Sequence, residues 1–377
     1  MFELLPEFGS GAVWLLVFGI GLIIQLYYFL FVFLKLPLAR KNQETENLPP
    51  LSVVVCARNE EENLSVFLPQ ILEQDYPQFE VVVVNDCSFD KSIDVLKSLA
   101  HRYDNLKVAD IREVEGREHG KKFALTIGIK AASHETLVLT DADCYPAGRN
   151  WLRQMAEGFT PGKEIVLGYG KYEKSGCLLN TIIRYDAFFI AVQYLSYAIK
   201  GMPYMGVGRN LSYRKSLFFN VKGFASHIHV ESGDDDLFVN QVANGSNTGI
   251  AIGKEVATIS KPKTTWKSWF LQKKRHHSTA KYYRSAHKSM LALYPLSWYV
   301  FMFSGILGLF HEKNLLIISG GILLRTISQM VILHAAAKRL DEKGLGLGSP
   351  VLELIHRIFV YPVYILSTLF VRRRKWN

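Results

Sequence analysis

The chain has 377 residues and a mass of 42.8 kDa, more than one compact domain usually holds, so two or three structural units are expected. Apolar residues make up 49% and charged residues 21%, with a mean hydropathy of +0.09, which excludes a disordered or fibrous protein and is high for a purely soluble one. The net charge of +10 fits nucleic acid, a membrane surface or phosphorylated ligands. Cys56, Cys87, Cys144 and Cys177 lie far apart without CxxC or Cys/His metal spacing, which argues against a disulfide scaffold or a zinc finger.

In chain order, residues 12–34 form an uncharged stretch. As a helix it is roughly 30–35 Å long, enough to cross a bilayer core. Glu3 and Glu7 stand where a signal peptide carries basic residues, so the stretch reads as a retained anchor. A polar block of about 250 residues follows, enough for a full domain. Residues 291–310 and 315–333 are two further apolar stretches, the second carrying only Arg325 as a charge. A weaker one, 351–371, contains Glu353, His356, Arg357 and Pro362. The expected units are an anchor and linker (1–48), a domain (49–288) and a C-terminal membrane region (289–377).

Basic residues near membrane ends set orientation. Lys35, Arg40 and Lys41 follow the first stretch, and a dense basic run precedes residue 291, so both ends of the domain read cytosolic. The sequons at Asn63, Asn210 and Asn244 are then chance matches. Lys338, Arg339 and Lys343 ask the third stretch to end inside, and Arg372, Arg373, Arg374 and Lys375 ask the same of the tail. A fourth full span cannot satisfy both, and a Glu353/Arg357 pair at i,i+4 suits a segment that lies in the interface or re-enters.

Within the domain, residues 51–56, 79–85, 106–110 and 136–140 read as strands rich in Val and Leu. Their lack of polar alternation predicts a parallel sheet covered on both faces. Helical spacing occupies 61–74, 92–103 and 122–132. An open α/β sheet of this kind binds ligands beyond the carboxyl ends of its strands. Ala57-Arg58-Asn59-Glu60, Asn85-Asp86-Cys87-Ser88 and Asp141-Ala142-Asp143 sit there. No GxGxxG follows a strand and no Walker A is present, which sets dinucleotide and P-loop chemistry aside.

Asp141 and Asp143, just past an apolar strand, can turn both carboxylates toward one ligand, and hard oxygens suit Mg²⁺ or Mn²⁺ bridging to phosphate. Solvated turn aspartates are the alternative. Asp234-Asp235-Asp236 opens a helix expected over 237–243, where acidic residues also serve as caps.

Taken together, VVVCARNEEENL (53–64), QDYPQFEVVVVNDCSFD (74–90), GKKFALTIGI (120–129), LTDADCYP (139–146), MGVGRNLSYRK (205–215), SGDDDLF (232–238) and QKKRHH (272–277) resemble the family 2 glycosyltransferases, over roughly residues 50–290. The resemblance implies a GT-A fold, a Rossmann-like α/β domain, here with N- and C-terminal transmembrane helices. It implies that Ala57, Asn59 and Glu60 meet the nucleotide, that Asp86 holds the base although Asn85 replaces the commoner first Asp, and that Lys121 lies at the nucleotide edge. Asp141 and Asp143 match the DxD, with Asp143 the expected metal ligand. Asp235 matches the catalytic base and Asp234 its acidic neighbour. Its position at a helix start favours the ionised form of Asp235, opposed by Asp234 and Asp236.

Attack on an anomeric carbon needs a base for the acceptor hydroxyl and a cation for the departing diphosphate. One base opposite the leaving group gives single displacement with inversion. The QxxRW of processive synthases appears as Gln272-Lys273-Lys274-Arg275-His276 without its tryptophan. Arg275 and His276 can still pair with diphosphate oxygens, or the run can serve membrane attraction. Residues 186–205 read as an interfacial helix at an acceptor entrance or as a core helix, and Arg325 as a lipid-phosphate contact or a snorkelling side chain.

The expected protein is an inverting, metal-dependent transferase of the inner membrane, multi-pass, with its domain facing the cytoplasm. A UDP-linked sugar is the expected donor and a membrane lipid or lipid-linked glycan the acceptor; no nucleic-acid partner is expected. The rivals are a processive polysaccharide synthase and a noncatalytic basic membrane protein binding anionic lipid or nucleic acid.

Overall fold

The computed structural model describes residues 10–45, 47–112 and 120–362. Glu3, Glu7, residues 363–371 of the fourth apolar stretch and the basic tail lie outside the described residues. The first apolar stretch is helix α1 (Ser10–Tyr27), prolonged by a π-helical segment (Tyr28–Phe33) and the short α2 (Lys35–Leu38). The domain then runs β1 (Leu51–Ala57), α3 (Glu61–Leu72), β2 (Phe79–Asp86), α4 (Ser92–Arg102), β3 (Leu106–Ile111), α5 (Lys121–Ala131) and β4 (Thr136–Asp141). Next come β5 (Cys144–Pro146), α6 (Trp151–Ala156), β6 (Ile165–Leu167), β7 (Gly170–Tyr172), α7 (Leu178–Ile199), β8 (Leu211–Arg214) and α8 (Lys215–Asn220). The chain continues with α9 (Asp236–Val242), β9 (Thr248–Ile250), β10 (Thr258–Ser260) and α10 (Trp266–His277), then α11 (Ser285–Gly308), α12 (Leu315–Arg339) and α13 (Ser349–Ile355).

The main sheet has the order β3-β2-β1-β4-β8-β6-β9. The expected parallel pairing holds for β3-β2-β1-β4, but β8 runs antiparallel to both β4 and β6, so the sheet is mixed. β5, β10 and β7 form a second, three-stranded sheet. β1 and β2 are buried almost throughout, since helices cover both faces, which is why their Val runs lack alternation. Gly128 on α5 is what lets that helix lie so close: a Cβ there would stand 2.6 Å from Val54 Cγ1.

Among the described residues, Gly11–Leu38, Ser285–Gly308 and Glu312–Arg339 are long and apolar enough to cross a membrane. α1 and α11 pack at close range, as small residues allow between apolar helices: a Cβ on Gly21 would meet the Phe301 backbone at 2.9 Å. α7 resolves the reading of residues 186–205 as a core helix, with Tyr185, Phe188, Val192 and Leu195 buried. Its core is continuous with Phe29 and Phe33 of the first helix, with Leu139 and Leu167 of the sheet, and with Leu333 and Ala336 of α12.

Arg325 neither snorkels nor waits for a lipid. It donates to Gln25 Oε1 at 2.9 Å and to Glu353 Oε2 at 2.6 Å, and also bonds Gln329. Tyr294 donates to the other Glu353 oxygen at 2.8 Å, and Gln25 donates to Ser297 Oγ at 2.8 Å. The expected Glu353/Arg357 pair is thereby corrected: the glutamate turns inward to a cation on another helix, because a buried charge is matched where hydrogen bonds complete it. Glu353→Gln leaves Arg325 buried and uncompensated, and should destabilise the protein by roughly 3–5 kcal/mol. Thermal unfolding in detergent reads this; an unchanged midpoint would remove the pair from the fold's support.

The end of α12 is tied to the domain. Arg339 bonds the Ala39 carbonyl, Lys171 pairs with Asp341 at 2.9 Å, and Glu342 takes Arg184 and the Tyr169 hydroxyl. At the opposite end Asn314 Nδ2 donates to the Gly11 carbonyl at 2.7 Å. The first and third apolar helices therefore finish beside the domain, and α11 starts there.

Candidate active site

Register alone brings the strand ends together. Cys56 on β1 stands opposite Asp141 on β4, and Ala57 opposite Asn85 on β2. Lys121, the first residue of α5, projects into the crevice between them, with its Nζ 2.8 Å from Asp141 Oδ1 and 3.0 Å from Asp234 Oδ2. Desolvation depresses the Lys121 pKa, but Asp141, Asp234 and Asp235 outweigh it and hold it well above the ordinary lysine range. Asp234, buried, is kept low against desolvation chiefly by Lys121.

Asp235 caps α9 and accepts the Gly208 N–H through Oδ2 at 2.7 Å. Its pKa is pushed up to about 7, first by desolvation and then by Asp234 and Asp236. The expectation that the helix start favours the ionised form is corrected. The short α9 and one amide do not outweigh two flanking carboxylates in a desolvated site. Gly233, at φ +99°, makes the turn that delivers this cluster; a Cβ there would meet Leu237 at 2.5 Å.

Asp141 and Asp143 do converge: with Cys144 they place ligand atoms within 4.8 Å of one another. The Cys144 thiol is buried, with its pKa held well up by desolvation and by Asp143 and Asp141, and soft sulfur is not a ligand that hard Mg²⁺ or Mn²⁺ prefers. The two carboxylates remain, a donor set that fits a hard divalent cation. Asp141 is already engaged by Lys121, whereas Asp143 accepts only the Cys144 thiol, at 3.4 Å, among the described residues. Burial and Asp141 raise the Asp143 pKa, with Arg209 opposing.

Around this centre, Asp86 is buried with both carboxylate oxygens unpartnered among the described residues. Asn85, the departure from the family's commoner Asp, instead donates to Asp110 Oδ1 at 2.8 Å. Asn59, at φ +57°, ties two loops by accepting the Phe89 N–H at 2.8 Å and donating its own N–H to Ser88 Oγ at 2.9 Å. Glu60 bonds Asn63 and feels Asp143 and Asp141, its pKa raised mainly by burial. Arg275 and His276 lie exposed in the last turn of α10, outside the bonded cluster. Lys273 of the same run is no surface lysine: it is buried and paired with Asp186, which also takes His356 Nε2 at 2.8 Å. The sequon at Asn210 is occupied by folding, its buried side chain donating to the Tyr169 and Val256 carbonyls.

Two basic residues escaped the reading of the sequence. Arg209 stacks on Tyr172 at 4.3 Å, donates to the Gly170 carbonyl at 2.9 Å, and acts on both Asp143 and Asp141. It directly follows Gly208 in the chain, and a single cation there gave no signal of its own. Lys122, beside Lys121, is buried and donates to the His227 and Val230 carbonyls at 2.6 and 2.7 Å, fixing the loop that leads into the acidic cluster.

Comparison with known proteins points the same way. Residues 52–217 match the Glycosyl transferase family 2 pattern. Glycosyltransferase AglE of Haloferax volcanii is 32% identical over 149 residues, which is 38% of this chain and 46% of that protein. The beta-monoglucosyldiacylglycerol synthase of Nostoc sp. (strain PCC 7120) is 34% identical over 103 residues, 27% of this chain and 22% of that protein. The chain thus spans less than half the length of these two relatives. The mannosyltransferase PcManGT of Pyrobaculum calidifontis, solved with GDP-Man and Mn²⁺, superposes with a TM-score of 0.57 at 20% identity, over 87% of this chain and 97% of that one, a likeness of fold. The fold is of the GT-A type. Residues 52–217 form a domain of the family 2 glycosyltransferase type.

Proposed function

We propose that this chain transfers a sugar from a nucleotide diphosphate donor to a membrane lipid or lipid-linked glycan, with inversion at the anomeric carbon. The observation that carries the reading is the single crevice in which Lys121 joins Asp141 and Asp234 while Asp235 stands beside them, held by the Gly208 amide. The proposal divides the chain into an anchor and linker (1–48), a catalytic domain (49–288) and a membrane region (289–377).

In this reading Ala57, Asn59 and Glu60 border the nucleotide, and Asp86, buried with two free acceptors among the described residues, takes N–H groups of the base. Lys121, Arg275 and His276 face the diphosphate. Asp143 and Asp141 would hold Mg²⁺ or Mn²⁺, which when bound supplies charge neutralisation at the diphosphate. Asp235 takes the proton of the acceptor hydroxyl as the oxygen–carbon bond forms and the bond from the anomeric carbon to the phosphate oxygen breaks. Asp234, neutralised by Lys121, fixes the position of its neighbour. A lipid acceptor is supported by helices that tie the crevice's domain to three membrane-competent segments. The basic residues after α1 and before α11 support a cytoplasmic domain.

Sealed vesicles supplied with UDP- and GDP-linked sugars test this directly. Inverted vesicles should consume one donor and label a lipid-extractable product, and right-side-out vesicles should not. Label appearing in long aqueous polymer would favour the processive synthase, and no turnover with any donor would favour the noncatalytic reading.

A further inference from the structure

Residues 285–377 contain four acidic side chains, Glu312, Asp341, Glu342 and Glu353. Three are matched to cations: Asp341 to Lys171, Glu342 to Arg184 and Glu353 to Arg325. Glu312 is exposed in the turn between α11 and α12. On α7, Asp186 is taken by Lys273 and His356. Arg357 receives none of these carboxylates as a bonded partner, and Glu353, spent on Arg325, reaches it only as a more distant charge.

Arg357 is nevertheless 3% exposed. Its Nε has no hydrogen-bond partner among the described residues. Ring faces surround the guanidinium instead, Tyr294 at 5.2 Å and Tyr361 at 5.0 Å. The buried hydroxyl of Tyr185, whose ring packs edge-on at 6.2 Å against His356, the chain neighbour of Arg357, is also without a partner among the described residues. A guanidinium cannot shed its proton in a protein. Ring faces offer a desolvated cation about 2 kcal/mol, less than the several kcal/mol that an unmatched buried charge costs. Residues 358–377 carry no acidic side chain that could close the gap.

We propose that Arg357, with Tyr185, binds the phosphate of an anionic membrane lipid between α7, α11 and the π-helical segment (His356–Val360) that follows α13. The guanidinium fork matches phosphate oxygens, and a hydroxyl adds one more donor. Depth agrees: Tyr294 lies about 13 Å along α11 from its domain end, near the boundary of headgroups and hydrocarbon. Val351, Leu354, Ile358 and Phe359 are exposed on the same segment and offer an apolar face to acyl chains. The proposal rests on the membrane placement of α11 but not on sugar transfer, since its readout is bound lipid.

The full chain is extracted in detergent, washed free of loose lipid, and analysed by native mass spectrometry and thermal unfolding. Fractionation of membranes beforehand confirms insertion separately. Wild type should retain phosphatidylglycerol and be stabilised by adding it, and phosphatidylcholine should do neither. Arg357→Gln should lower retention by about tenfold or more and abolish the thermal response. Arg357→Lys should retain part of both. Where Arg357→Gln does not fold, Tyr185→Phe, which deletes only the unpartnered hydroxyl, should still weaken retention. Equal retention by wild type and the folded variants overturns the proposal. Stabilisation by inorganic phosphate alone, equal to that by phosphatidylglycerol, assigns the site to a free anion and overturns its lipid identity.

Discussion

Asp235→Asn should leave donor affinity within a few-fold and lower sugar transfer by about 10²–10⁴, the usual worth of a general base. The amide keeps the shape and an oxygen for the Gly208 N–H, so the crevice stays formed while the proton acceptor is lost. Because the Asp235 pKa is pushed up to about 7, the wild-type rate should fall with acidity below that value, about tenfold per pH unit. The sign for stability is the opposite of an ordinary salt-bridged carboxylate. A folded pKa above the unfolded one contributes stability at low pH that is lost as pH rises through about 7. Asp235→Asn should therefore unfold at a higher temperature than wild type at pH 8, with the advantage shrinking as pH falls below about 7 and gone below about 4. Asp236→Asn should act differently, since Asp236 accepts from Thr279 and, at 2.7 Å, from Tyr283, anchoring the segment after α10. Its transfer rate should fall less than that of Asp235→Asn while its stability falls more. Normal transfer by Asp235→Asn beside a dead, folded Asp234→Asn or Asp236→Asn would move the base by one residue.

Asp143→Asn should collapse donor turnover, and neither added Mg²⁺ nor Mn²⁺ should restore it. Charge neutralisation by a bound cation is worth several kcal/mol at a departing diphosphate, which corresponds to roughly 10²–10³ in rate. Asp141 by itself is too small a ligand set, since Lys121 shares its Oδ1 at 2.8 Å, and removing Asp143 leaves Arg209 without one of its acidic neighbours. Mn²⁺ binding followed by electron paramagnetic resonance should weaken in the variant together with turnover. Undiminished turnover by chelated wild type would end the metal assignment for this pair.

The sequence determined much of the domain by itself. Runs of Val and Leu marked β1, β2 and β4 to within a residue, because a strand covered on both faces has no polar positions to disguise it. The acidic residues after those strands fell at the crevice because strand ends, unlike side-chain contacts, follow from chain order in a parallel sheet. The apolar stretches likewise declared the three candidate spans by length and composition. Tertiary structure alone decided which charge meets which. Local spacing offered Arg357 to Glu353, but Arg325 on another helix took it, and Lys273 left a basic run to meet Asp186. It also decided the antiparallel entry of β8 and the raised pKa of Asp235, which depends on desolvation and on two carboxylates held beside it. Ion pairing and desolvation act through space between segments far apart in the chain, and no periodicity records that distance.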